Sequence, residues 1–128
     1  MRYLLDTHIV LWMLDDALQL GTRVRDELTD PANDVYVSIV SIWEMALKAR
    51  IGKLQTDIAE VIGYLAPTGL RLLDLRPSHL LQLATLPLLP GHRDPFDHLL
   101  IATAQAERLC LVTNNRHVSR YAVEHMAV

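Results

Sequence analysis

Short apolar runs alternate with longer segments of helical periodicity along the whole chain. The runs are four or five residues long and rich in Leu, Val and Tyr, which is typical of buried strands. The predicted strands are Arg2–Leu5, Asp34–Ser38, Leu70–Leu73 and Cys110–Thr113. Because helices separate these strands, the connections are crossovers and the sheet is parallel. The pattern predicts an α/β fold, a three-layer sandwich with helices on both faces of the sheet.

The helical segments begin or end at recognisable capping residues. Gly21 separates the first two, a capping box at Asp57–Glu60 opens the fourth, and Asp94-Pro95 opens the last. The predicted helices are His8–Leu14, Thr22–Leu28, Ile39–Arg50, 57–66 (stopped by Pro67), Ser78–Thr85 and Asp94–Arg108. The tail Val118–Val128 forms a short helix or a strand that the pattern does not distinguish, so four or five strands are expected.

Composition sets the class of protein. With 128 residues, 51% of them apolar, the chain is expected to form one domain over residues 1–128 with its own core. The net charge of −3 argues against a non-specific nucleic-acid coat, and the single cysteine, Cys110, forbids an internal disulfide. Cys110 is expected to be a buried core thiol. Since no targeting or membrane-spanning segment is visible, a cytoplasmic location and no membrane partner are expected.

Acidic residues fall where the predicted sheet presents its carboxyl edge. Asp6 closes the first strand, Glu44 lies early in the helix after the second, and Asp94 and Asp97 begin the helix before the fourth. Asn115 follows the fourth strand. Ligands bind at this edge in open parallel sheets. Crowded carboxylates stay ionised most easily around a cation, and an all-oxygen set favours Mg²⁺ or Mn²⁺.

Each acidic position also has a purely local explanation. Asp6 can cap the following helix, Ser41–Glu44 matches a capping box, and acids near Asp94 suit a helix start. Asn115 can be a turn residue. Because four independent caps need not share one edge, their convergence favours the site, provided that the topology is correct.

Positive charge near this edge is expected from side chains that flank the acidic positions. Arg93, His98 and Arg116 are the candidates for contact with phosphates of a single strand, although solvated surface arginines explain them equally well. His92, with His98, is expected to face substrate or solvent. Lys48 is assigned to the far end of its helix, so no Lys or Arg is expected beside Asp6 or Glu44. Trp12 and Trp43 are expected in the core or an interface.

Several ordered blocks together resemble one known family. They are Leu4–His8 with Leu11-Trp12, Val37–Lys48 with Gly52–Leu54, Leu86-Pro87, His92–Ala102 and Leu111–Thr113. This set, spread over nearly the whole chain, resembles the PIN-domain family and within it the VapC-type toxins of toxin–antitoxin pairs. The resemblance implies a PIN-like fold and a Mg²⁺- or Mn²⁺-dependent endoribonuclease. It also implies a homodimer, bound by a cognate VapB-type antitoxin and through it to operator DNA.

Carried over by position, the resemblance assigns Asp6, Glu44 and Asp97 to the acidic site, with Asp94 in support. Thr7 and Thr113 match small hydroxyl positions near that site.

One departure concerns Asn115, where the family usually has an aspartate. A neutral amide lowers the negative charge, so a second metal is expected to bind more weakly and Asn115 to serve as an auxiliary ligand. The alternative is a weakened module that binds RNA or antitoxin without efficient cleavage. A phosphatase-like domain with Asp6 as nucleophile is a further alternative, but its Asp-x-Asp spacing is missing because position 8 is His.

Overall fold

A five-stranded parallel sheet forms the centre of the computed structural model, which describes residues 1–128. The strands are β1 (Arg2–Leu5), β2 (Asp34–Ser38), β3 (Leu70–Leu73), β4 (Cys110–Thr113) and β5 (His125–Ala127). Their spatial order is β3-β2-β1-β4-β5, and every neighbouring pair is parallel. The predicted α/β class and parallel sheet are therefore confirmed, with the larger of the two expected strand numbers.

Six α-helices connect and cover these strands. They are α1 (Thr7–Leu14), α2 (Thr22–Thr29), α3 (Ile39–Arg50), α4 (Ile58–Leu65), α5 (Pro77–Ala84) and α6 (Pro95–Glu107). Short 3₁₀ turns occupy Leu18–Leu20, Ala66–Thr68 and Arg116–Arg120. No helix has the length and hydropathy that crossing a membrane requires.

Alternation along β1 divides the core into two layers. Tyr3 and Leu5 belong to a cluster of 16 buried residues on one face, which includes Ile9 of α1. Leu4 points to the other face and joins a cluster of 11 buried residues, which includes Leu100 of α6. Burial on both faces explains why these strands are continuous apolar runs rather than alternating patterns. The expected three-layer sandwich is confirmed.

The chain changes direction across the sheet between β1 and β4. From β1 it builds β2 and β3 on one side, and then it returns to place β4 and β5 on the other. At such a point the segments that follow neighbouring strands separate and leave a crevice beyond the strand ends, which is where parallel sheets bind ligands. The Asp6 N–H still donates to Val112 O at 2.9 Å, so the two strand ends that flank the crevice are held together.

Several helix ends differ by one residue from the sequence prediction, and three differences have a clear structural reason. The tail contains the 3₁₀ turn Arg116–Arg120 and the short strand β5. Helix α1 begins at Thr7, one residue early, because Asp6 caps it. Pro67 lies within the 3₁₀ turn that continues from α4, since a proline near the start of a helical turn lacks only an N–H that would be unpaired anyway.

Cys110 and Trp43 differ in their burial. Cys110 is buried in β4 as predicted, and burial raises the pKa of its thiol to about 11. Trp43 is 54% exposed and packs edge-on against Phe96, with ring centroids 5.0 Å apart. Trp43 is therefore a surface aromatic outside the buried core.

Candidate active site

A cleft of about 240 Å³ opens at the carboxyl edge of the sheet, beside the crevice between β1 and β4. None of the nine residues that line it is hydrophobic. The lining residues are Asp6, Thr7, His8, Glu44, Lys48, Asp94, Asp97, Asn114 and Asn115. The four predicted acidic positions and Asn115 thus meet at one place, from β1, α3, α6 and the loop after β4.

Asp6 occupies the position between β1 and α1. Its Oδ1 accepts from the Thr7 N–H at 2.7 Å, which caps the helix, and its Oδ2 accepts from the Thr113 hydroxyl at 2.6 Å. Burial raises the pKa of the Asp6 carboxyl, and these two hydrogen bonds oppose the rise. Asp6 can therefore cap the helix and also face the cleft, because each of its oxygens accepts one hydrogen bond and keeps a lone pair.

Glu44 lies in the second turn of α3 and is 5% exposed. Its Oε1 accepts from the Thr7 hydroxyl at 2.7 Å, and its Oε2 accepts from Lys48 Nζ at 2.9 Å. The helix begins at Ile39 with Ser38 as its cap, so the alternative capping box at Ser41–Glu44 is wrong. The expectation of no lysine beside Glu44 is also wrong, because residues four apart share a helix face.

Asp97 stands in the first turn of α6, whose cap is Asp94. Asp94 Oδ1 accepts from the Phe96 N–H at 2.9 Å, as the sequence predicts for a helix start. Asp97 Oδ2 accepts from Asn115 Nδ2 at 2.8 Å and lies 3.2 Å from His92 Nε2, whereas Oδ1 has no protein partner. Burial and the charge of Asp6 raise the pKa of Asp97 to about 6, against the effect of His92.

A match to a family model shows to which protein family the chain belongs. The family model of the PIN domain matches residues 3–124. The chain is a PIN domain. The comparison with curated protein sequences gave no match.

Solved structures share the fold of this PIN domain over nearly its full length. VapBC2 from Rickettsia felis, bound to a promoter DNA fragment, is similar with a TM-score of 0.74 and 19% identity. DNA-bound VapBC from Salmonella typhimurium gives a TM-score of 0.70 at 18% identity, and VapBC-1 from nontypeable Haemophilus influenzae gives 0.68 at 17%. Each match covers 99% of this chain and 98% of the other. At these identities the likeness establishes the PIN-like fold.

The donor set of the cleft suits a hard divalent ion held partly by water. No three His, Cys, Asp or Glu side chains converge as a complete metal-binding group. Mg²⁺ usually takes one or two carboxylates and keeps several waters, so a complete protein cage is not needed. Asp97 has a free oxygen, and each oxygen of Asp6 accepts one hydrogen bond and keeps a lone pair. Glu44 accepts one of its two hydrogen bonds from the Lys48 ammonium, whose positive charge opposes a metal ion there, so a supporting role suits Glu44 better than ligation.

Asn115 links the loop after β4 to Asp97. Its Oδ1 accepts from the His117 N–H at 2.9 Å, which caps the 3₁₀ turn, while its Nδ2 donates to Asp97. This oxygen accepts one hydrogen bond and therefore keeps a lone pair, as the oxygens of Asp6 do. In this arrangement Asn115 braces Asp97, and its role as an auxiliary metal ligand stays a prediction.

The histidines behind Asp97 form a packed cluster. His92 is buried, its Nδ1 lies 2.8 Å from the Tyr121 hydroxyl, and its ring stacks on His117 with centroids 5.0 Å apart. The prediction that His92 faces substrate or solvent is therefore wrong. His98 is half-buried, and its Nε2 lies 2.9 Å from His92 O, outside the cleft lining. These rings fix the position of Asp97 from behind.

The arginines predicted to contact phosphates lie outside the cleft, and their role stays a prediction. Arg93 and Arg116 are exposed and do not line the cleft. The cation that does line it is Lys48, together with the exposed imidazole of His8. The sequence carried a signal for both, since Lys48 is four residues after Glu44 and His8 is two residues after Asp6.

Asn115→Asp tests whether the amide stabilises the metal-free cleft through its contact with Asp97. The substitution replaces the donor 2.8 Å from Asp97 with a carboxylate, so the metal-free protein should lose about 1–3 kcal/mol of stability. Mn²⁺ should bind more tightly, because the cleft gains negative charge. Thermal melts in EDTA and calorimetric Mn²⁺ titration measure the two effects. The control is Asn114→Asp, which adds the same charge to the same cleft without a contact to Asp97. Equal changes in both variants would contradict the bracing role of Asn115.

Proposed function

We propose that the chain is a VapC-type toxin, an endoribonuclease that hydrolyses RNA phosphodiester bonds with Mg²⁺ or Mn²⁺. The observation that carries the proposal is the wholly polar cleft, in which four carboxylates from three parts of the chain meet beside the sheet crevice. The raised pKa of Asp97, caused by burial and by Asp6, supports it. Without a cation, repulsion between these carboxylates destabilises the fold. Carboxylates with perturbed pKa values in clefts are frequent at catalytic sites.

In this proposal each cleft residue has a separate role. Asp6 and Asp97 would hold the ion, and Glu44 and Asp94 would complete the acidic pocket and orient the attacking water. A bound Mg²⁺ would activate water and stabilise charge that develops on the phosphate. Thr7 fixes Glu44 and Thr113 fixes Asp6 through hydroxyl hydrogen bonds of 2.7 and 2.6 Å.

Residues outside the cleft are assigned to the substrate strand or to support. Arg93 and Arg116, both exposed, would contact RNA phosphates on either side of the scissile bond. His98 acts on the site through His92, whose backbone oxygen it contacts.

The proposed partners follow from the similar structures and from the charge of the cleft. The solved structures of similar fold are VapBC complexes, two of them with DNA. We propose a homodimer, a VapB-type antitoxin and, through that antitoxin, contact with operator DNA. An arginine from an inhibitory peptide can pair with two carboxylate oxygens at once, so it would block the cleft of Asp6 and Asp97. An antitoxin that still inhibits fully after loss of its arginines would refute this mode.

Metal removal and return test the activity. The purified chain, free of antitoxin, should cleave single-stranded RNA in Mg²⁺ or Mn²⁺, lose cleavage in EDTA, and regain it when excess ion is added. Ca²⁺ provides a control, since it prefers more ligands at longer distances than Mg²⁺. Cleavage that persists in EDTA would overturn the proposal.

A second candidate is a module that binds RNA or antitoxin without efficient cleavage. The observation in its favour is Asn115, whose oxygen is engaged by His117 and which adds no charge. Calorimetry separates the two, because absence of divalent-ion binding would support the module and measurable binding would support the nuclease.

A further inference from the structure

Lys48 is the one lysine or arginine that lines the acidic cleft. Its Nζ lies 2.9 Å from Glu44 Oε2, and the side chain is 44% exposed, against 7% for Glu44. The cleft also holds Asp6, Asp94 and Asp97. A single ammonium group therefore faces four carboxylates and remains open to solvent.

A helix pair of this spacing can be a surface ion pair and nothing more. Two observations distinguish Lys48 from that case. Glu44 is buried and its other oxygen is fixed by Thr7, so it holds the lysine at a defined place in the cleft. The ammonium also has three N–H donors, and Glu44 is its only hydrogen-bond partner, which leaves two donors for a ligand.

We propose that Lys48 binds a non-bridging phosphate oxygen of the nucleic-acid strand in the cleft. This inference rests on the proposed nuclease function and assigns the phosphate contact of that same site. A phosphodiester that enters this cleft meets carboxylates on most sides, and Lys48 is the protein cation placed to offset them. Because Glu44 retains one ammonium donor, the lysine needs no large movement to bind.

The salt dependence of binding gives a direct test. A labelled single-stranded oligoribonucleotide is titrated by fluorescence anisotropy in Ca²⁺, at NaCl concentrations from about 50 to 300 mM, a range over which phosphate contacts weaken measurably. Lys48→Met keeps the aliphatic stem, and it should weaken binding and lower the slope of log K against log salt by about 0.7. Lys48→Arg should restore most of that slope, because it returns the positive charge.

The control is Lys53→Met, which removes the only other lysine of the chain from an exposed turn outside the cleft. It should leave the slope unchanged. A Lys48→Met protein that melts normally and keeps the wild-type slope would overturn the proposal and leave Lys48 as a counter-ion of Glu44. If Lys48→Met melts early, Lys48→Gln takes its place, with the same expected loss of slope.

Separate cleavage assays in Mg²⁺ distinguish failure of this inference from failure of the proposed function. A Lys48-dependent slope in a chain that never cleaves RNA would refute the nuclease and support the phosphate contact. If the wild-type chain cleaves RNA but its RNA binding does not depend on Lys48, the nuclease is supported and the phosphate contact of Lys48 is refuted. A wild-type chain that neither binds nor cleaves RNA would refute both.

Discussion

Asp97→Asn is expected to lower RNA cleavage by about 100- to 1000-fold while making the metal-free protein more stable. The loss of activity follows because the substitution removes the charge of a proposed metal ligand. The gain in stability follows because the Asp97 carboxylate is buried and repelled by Asp6. The effects have opposite signs, which separates a functional group from a structural one.

The geometry around position 97 allows this substitution without a lost hydrogen bond. An asparagine can place its oxygen where Oδ2 accepts from Asn115, and its NH₂ where Oδ1 has no protein partner. A gain of about 1 kcal/mol at pH 7 would raise the melting temperature by about 4 °C in a domain of this size.

Asp6→Asn should lower cleavage by a similar factor but stabilise the metal-free protein less. Both Asp6 oxygens accept hydrogen bonds, so an amide there would set an N–H against the Thr113 hydroxyl. Asp74→Asn is the matched control, since Asp74 is exposed and outside the cleft. An Asp97→Asn protein with normal cleavage, or with a lower melting temperature in EDTA, would contradict the assignment.

Much of the fold and the acidic set could be predicted because both depend on local patterns. Continuous apolar runs mark buried parallel strands, and parallel strands bring their carboxyl ends to one edge. The predicted ends of the strands and helices then place Asp6 after β1 and Asp94 before α6, because capping residues mark those ends. Capping and a place in the cleft were considered as alternatives, but the side chains of Asp6 and Asp94 each cap a helix and also line the cleft.

The remaining features depend on contacts between distant segments. His92 is buried because the loop before α6 folds onto Tyr121, 29 residues away, and no periodicity encodes that contact. Asn115 reaches Asp97 across 18 residues in the same way. Strand β5 has three residues and little burial, so its pattern is too short to separate a strand from a turn. Lys48 is different, since its spacing of four residues from Glu44 is visible in the sequence. The prediction missed only that this spacing places both side chains on the same face of α3.

The stability of the metal-free protein should fall as pH rises from about 4.5 to about 6. The pKa of Asp97 rises from its ordinary value of 3.8 to about 6 in the folded chain, chiefly through burial and the charge of Asp6. Between these values the folded state binds more protons than the unfolded state, so the free energy of unfolding decreases with pH. Since the Asp97 side chain is 18% exposed, we expect a decrease of about 2 kcal/mol.

Two other carboxyl groups shape the same curve. Asp6 also has a raised pKa, caused first by burial, so its contribution has the same sign as that of Asp97. Glu107 acts oppositely, because the hydrogen bond from His79 lowers its pKa from the ordinary value of 4.5. Its stabilisation is lost only as pH falls below that value, so measurements above pH 4.5 separate it from the acidic cleft.

Urea unfolding in EDTA at half-unit steps from pH 4.5 to pH 7 measures this dependence. Asp97→Asn should flatten the curve to the part that Asp6 contributes, whereas Asp74→Asn should leave it unchanged. Saturating Mg²⁺ should also remove the decrease, because the ion binds the ionised carboxylates and stabilises the folded state where they are unprotonated. A curve in which wild-type protein and Asp97→Asn fall in parallel would show that the charge of Asp97 is already compensated within the protein. In that case the cleft would not need a cation to hold its carboxylates together, and the physical basis of the proposed metal site would be lost.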